Sequence, residues 1–113
     1  MTDHLMQALA PPFAVESTPE RDRVIVAVAG ELDIATTGRV EDEVTGLYDR
    51  GFEKVVLDLS NVSFMDSSGL RLLIRLDDRA RGDRRFTVVQ GDGAARRLLA
   101  LTRLDARFVR PLS

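Results

Sequence analysis

Asp66, Ser67, Ser68 and Gly69 set a carboxylate and two hydroxyls between the apolar runs "VVLDL" and "LRLLI". A serine in such a place can cap a helix, attack a substrate, or accept a phosphoryl group from another protein. Attack requires a base within reach. The single histidine, His4, lies close to the amino terminus, and the single lysine, Lys54, opens an apolar run with no evident pairing to Ser67. A self-acting hydrolase is therefore not expected, and no residue is assigned a catalytic role. Metal chemistry is not expected either. The chain has no cysteine, and the acidic runs Glu41-Asp42-Glu43 and Asp77-Asp78 have no histidine beside them and read as solvated helix faces. "GDGAA" at 91–95 matches no phosphate-loop spacing, so no nucleotide cofactor is implied.

The elements around the four residues say how they are held. "FAVES" (13–17) reads as a short edge strand, "TPERD" (18–22) as a turn, and "RVIVAVAG" (23–30) as a β-branched strand stopped by Gly30. The period then changes. Val40, Val44, Leu47 and Tyr48 recur at helical spacing over 35–51, with Thr36 or Thr37 as the cap and Gly51 as the stop. "KVVLDLS" (54–60) is a strand, and 68–82 is a helix with Leu70, Leu73, Ile74 and Leu76 inward and Gly82 at its end. "RFTVVQ" (85–90) is a strand, 92–104 a helix capped by Asp92, and "ARFVRPL" a closing strand. The order is β-β-α-β-α-β-α-β. It predicts an α/β domain: an antiparallel opening hairpin, then strands in parallel joined by right-handed helical crossovers.

The whole composition fits one such domain. The chain has 113 residues, 44% hydrophobic and 30% charged, enough to bury a core without disulfides. Sixteen basic against eighteen acidic residues give a net charge of −2, which offers no electrostatic footprint for nucleic acid. No apolar run approaches the ~20 residues that span a bilayer. "MTDHLMQALAPP" lacks the charged and apolar regions of a secretory signal. The expectation is a soluble cytoplasmic protein with a tail over 1–12 and a domain over 13–113.

The four residues thus fall where a strand passes into a helix, on the carboxyl side of a parallel strand, where α/β proteins tend to place function. Two readings stand at this point. Asp66 or Ser67 caps the helix and Gly69 permits close packing, or the same residues form an exposed modifiable surface.

"GELDIATT" (Gly30 to Thr37), followed by "VVLDLSNVSFMDSSGLRLL", resembles the STAS domain of bacterial anti-sigma-factor antagonists. The resemblance covers about residues 13–110. It implies a STAS-like fold with a mixed, mostly parallel sheet. It also implies that Ser67, the first serine of the motif, is phosphorylated by an anti-sigma factor that is itself a serine kinase. The unmodified form would bind that factor and release its sigma factor, and a phosphoserine phosphatase would reset the cycle. The implied contact surface comprises Asp33, Thr36, Asp66, Ser67, Ser68, Gly69 and Arg71, a long cation just past the motif. An alternative within the family is a scaffold or sensor module of a larger signalling complex. A transporter tail fits poorly with a chain that has no membrane span. A phospho-aspartate receiver fits less well, because this chain opens with two strands and Asp58 lies inside a strand instead of at its end.

Overall fold

A computed structural model describes residues 12–109; the expected tail, His4 included, falls almost wholly outside these residues. Strands β1 (Ala14–Glu20), β2 (Arg23–Leu32), β3 (Lys54–Met65) and β4 (Arg85–Val89) form one sheet in the order β1-β2-β3-β4. β1 and β2 make the antiparallel hairpin, and β2, β3 and β4 run parallel. Helices α1 (Thr37–Asp49), α2 (Ser67–Arg79) and α3 (Ala94–Thr102) make the connections, and a single turn of helix, α4 (Asp105–Phe108), follows.

β-Branched residues at alternate positions make β2. Val24, Val26, Val28 and Leu32 are buried, while Ile25, Ala27 and Ala29 on the other face are half-buried. The buried face meets Val40, Val44 and Leu47 of α1 and Leu72, Leu73 and Leu76 of α2 in one core with Leu57, Phe86, Val88 and Leu99. Each fully buried aliphatic side chain there is worth about 1.5–3 kcal/mol.

Several expected boundaries shift for identifiable reasons. β1 runs through Pro19 to Glu20, because an edge strand tolerates a residue without an amide hydrogen. Gly30 does not end β2. It sits at a register shift with φ +91°, and a Cβ there would come within 2.8 Å of the Phe13 Cα. Its missing side chain lets the incoming chain cross. α2 ends at Arg79, short of Gly82, and its buried stripe is Gly69, Leu72, Leu73 and Leu76, leaving Leu70 and Ile74 half-buried at the flanks. α3 is capped by Gly93, while Asp92 instead pairs with Arg96 one turn on, at 3.0 Å.

The expected closing strand is corrected more fully. Its first residues form α4, in which Phe108 is buried edge-on to Phe86, centroids 6.5 Å apart, and the Val109 amide donates to Asp105 O at 2.8 Å. Arg107 reaches back to Asp77 and Asp78 at 2.9 and 3.2 Å. Adjacent residues thus serve a buried ring contact and an ion-pair cluster, which a helical turn satisfies. Residues 110–112 of the expected strand lie outside the described part.

The acidic runs are also less solvated than expected. Arg75 donates to both oxygens of Glu41 at 3.1 and 3.2 Å, and Arg79 lies 3.3 Å from the same carboxylate while donating to Thr45 Oγ1 at 2.8 Å. These contacts clamp α1 to the carboxyl-terminal half of α2.

Candidate functional site

The parallel register pairs Leu32 with Met65, so β2 and β3 end side by side. Asp33 follows one strand and Asp66 the other. The loop before α1 and the loop before α2 therefore share the carboxyl edge of the sheet, and the sequence-predicted residues of both segments come together there.

Asp66 has extended backbone, and its Oδ1 accepts the Ser68 amide at 2.9 Å. The Gly69 and Leu70 amides donate to Asp66 O at 3.0 and 3.3 Å. Asp66 is thus a helix cap as well as a half-buried carboxylate at the surface, as the first of the two readings expects. Ser67, the first residue of α2, is exposed, and its hydroxyl makes no hydrogen bond to any other described residue. Ser68 is half-buried and Gly69 buried. A Cβ on Gly69 would lie 2.8 Å from Met65 Cγ and 3.5 Å from Leu32 Cδ2, so the glycine lets α2 start directly against the ends of both strands.

The other loop is tied up in itself. Asp33 O accepts the Thr36 and Thr37 amides at 3.1 and 3.0 Å, and Asp33 Oδ1 accepts the Ala35 amide at 2.9 Å. Thr36 Oγ1 accepts the Asp33 amide at 3.0 Å and donates to Glu31 O at 2.8 Å. Thr36 or Thr37 is the expected helix cap of α1, and the structure puts Thr36 there. Its hydroxyl closes the loop instead of receiving a helix amide. The result is a loop closed by its own hydrogen bonds, whose tip, Ile34, is 81% exposed. Sequence reasoning passed over Ile34; an aliphatic residue between Asp33 and Ala35 in a polar loop was the available signal. Arg71 projects from the exposed side of α2 and makes no ion pair among the described residues.

Chemically, this edge offers the exposed Ser67 hydroxyl and the half-buried Ser68 hydroxyl, neither hydrogen-bonded among the described residues, with the carboxylates of Asp33 and Asp66, Glu31 close by in the chain, the cation of Arg71, and an apolar tip. No histidine, lysine or carboxylate is within hydrogen-bonding distance of the Ser67 hydroxyl among the described residues, and no acidic cluster there is arranged for a metal. Nor is any described helix long and apolar enough to cross a membrane.

The chain is 37% identical over 60 residues to an anti-sigma-B factor antagonist of Staphylococcus aureus, a match covering 53% of this chain and 56% of that protein. The chain thus spans just over half the length of that relative. It is 29% identical over 84 residues to the anti-sigma-F factor antagonist RsfB of Mycobacterium tuberculosis, covering 74% of this chain and 69% of the relative. The crystal structure of an anti-sigma factor antagonist from Mycobacterium paratuberculosis superposes with a TM-score of 0.78 at 29% identity, covering 89% of this chain and 88% of that one. The STAS domain model matches residues 15–113, and the chain belongs to the STAS domain family.

Proposed function

We propose that this protein is an anti-sigma-factor antagonist switched by phosphorylation of Ser67. The unmodified form binds an anti-sigma factor that is also a serine kinase and so frees the sigma factor. Phosphorylation ends that binding, and a phosphoserine phosphatase restores it. The observation that carries this reading is the placement of Ser67: an exposed, unengaged hydroxyl at the first residue of α2, beside the Asp33–Thr36 loop. The names of the relatives point the same way.

The physical argument concerns charge. A phosphate adds about −1.5 to −2 charge at neutral pH. The first turn of a helix favours an anion by about 0.3–1 kcal/mol, but here Asp66 already occupies the Ser68 amide and repels the newcomer. The fold should therefore gain or lose little. Against a partner shaped for a neutral hydroxyl, the phosphate would lose its hydration without matched donors, at a cost of several kcal/mol. Each ~1.4 kcal/mol is tenfold in affinity. On this reading the protein acts by binding, in the cytoplasm with its partners, and among the described residues no base is positioned to turn Ser67 into a nucleophile.

The test is phosphosite mapping by mass spectrometry after incubation with ATP and each anti-sigma kinase from the protein's own source. Modification at Ser67, lost in Ser67→Ala while partner binding persists, is the expected result. Modification at Ser68 or Thr36 would overturn the assignment.

A further inference from the structure

β3 outlasts its neighbour. β4 pairs only with Lys54–Asp58, so the second half of β3 has no strand on that side among the described residues. α3 lies beside it, and between them is a groove of about 220 Å³ lined by Ser63, Phe64, Met65, Arg97, Leu98 and Leu101, with Ala94 at one end. Two features set this groove apart from an ordinary surface crease.

The first is that α3 is apolar on two sides. Ala95 and Leu99 are buried in the core, as one stripe suffices to dock a helix. Ala94, Leu98 and Leu101 form a second stripe, at i, i+4 and i+7, that faces the groove. Leu101 is 82% exposed and Phe64 47% exposed. With Ile34 these are the large exposed hydrophobics among the described residues, and Phe64 lies three residues before Ser67 in the chain. The second feature is a cation in the apolar surface. Arg97 lines this groove and the adjoining apolar surface around Ala100 and Leu101, and it makes no ion pair among the described residues.

We propose that this groove is a second contact for the same anti-sigma factor, and that it receives an apolar segment carrying a carboxylate for Arg97. The inference rests on the function proposed above and extends that surface from the Ser67 junction along Ser63–Met65 to α3. Continuity selects the occupant. Whatever covers Ser67 lies next to Phe64, and a contact confined to Ser67, Asp33 and Asp66 would leave Phe64 and Leu101 in water. Charge selects its chemistry, because an unpaired guanidinium amid aliphatic side chains is best met by a carboxylate.

The test is calorimetric titration of each ATP-hydrolysing anti-sigma factor from the source organism with the full chain and with Leu101→Asp, Arg97→Glu and Ser67→Asp. Leu101→Asp and Arg97→Glu should each weaken binding at least tenfold while melting within a few degrees of the parent, since both side chains are exposed. Arg97→Lys should recover part of the loss. If both groove variants bind like the parent while Ser67→Asp does not, the groove proposal falls and the switch stands. If the groove variants lose binding but Ser67→Asp keeps it, the switch falls and the groove stands. Binding by none of the factors removes both. Sedimentation that finds the parent self-associating, and Leu101→Asp not, would assign the groove to a second copy and overturn the proposal.

Discussion

The two ends of the sheet treat their polar side chains differently. At the end where β2, β3 and β4 begin, several charged groups are engaged within the domain. Lys54 donates to Asp22 at 2.7 Å, Arg85 to the Gly82 and Arg84 carbonyls at 2.7 and 2.8 Å, and Arg81 to Asp78 O at 2.7 Å. Arg84 stacks 5.1 Å from the centre of the Tyr48 ring, whose hydroxyl donates to Arg85 O at 2.9 Å. In the two loops at the carboxyl end of β2 and β3, Asp33, Thr36 and Asp66 are engaged in building the loops, while among the described residues the Ser67 hydroxyl and Arg71 have no partner and Ile34 is left toward solvent. Side chains that satisfy their own fold cost stability when removed. Side chains that do not are available to a partner, and adding or reversing a charge there should change binding and leave stability in place.

The largest expected effect breaks binding and leaves stability. Ser67→Asp should weaken the anti-sigma factor interaction tenfold or more, because one charge imitates a phosphate only in part, with a melting temperature within a few degrees of the parent. Calorimetry and thermal melts on the same samples check both halves.

Gly69→Val should do the reverse. The added side chain must displace Met65, and overpacking costs about 1–3 kcal/mol. Urea unfolding should show the midpoint falling at unchanged slope.

At the opposite end Tyr48 provides a pH signature. Burial raises its hydroxyl from the ordinary 10.0 to about 12. A raised folded value means this contribution is whole below about pH 10 and is lost as pH climbs through about 12, with a total on the order of 2 kcal/mol. Tyr48→Phe should flatten that alkaline decline and, near neutrality, cost about 1 kcal/mol for the hydrogen bond to Arg85 O. Melts from pH 8 to 12 would read it.

The smallest effect is Glu41→Gln. The carboxylate is clamped by Arg75 and Arg79, but both arginines are nearly half exposed, at 45% and 48%, so the loss should stay within about 1 kcal/mol. A measured loss of several kcal/mol would mean the helix clamp carries more of the fold than its exposure allows.

How much of this could be read from the sequence depends on how regular each segment is. β2 announces itself because its burial alternates strictly, and the helices because their apolar residues recur at helical spacing. The second half of β3 does not. β3 advances three residues, 58 to 61, while β2 advances two, 27 to 29, and again two, 62 to 64, while β2 advances one. Across these irregularities the buried residues are Leu59, Val62 and Met65, every third position, so "NVSFM" carries no period of two and falls outside the strand expected over 54–60. The inward stripe of α2 was misjudged because it begins at Gly69, a residue with no side chain to count. At the site, the strand-to-helix junction and a cap at Asp66 or Ser67 were legible from residue type, and the structure selects Asp66. The closed Asp33–Thr36 loop was not, because it depends on the Thr36 hydroxyl reaching Glu31 O. Neither was the groove by α3, which joins residues some thirty positions apart.

The most direct test of the central claim is titration of the anti-sigma factor with the unmodified protein and with protein phosphorylated stoichiometrically at Ser67. The charge argument predicts that phosphorylation lowers affinity a hundredfold or more. Equal affinity of the two forms would contradict it.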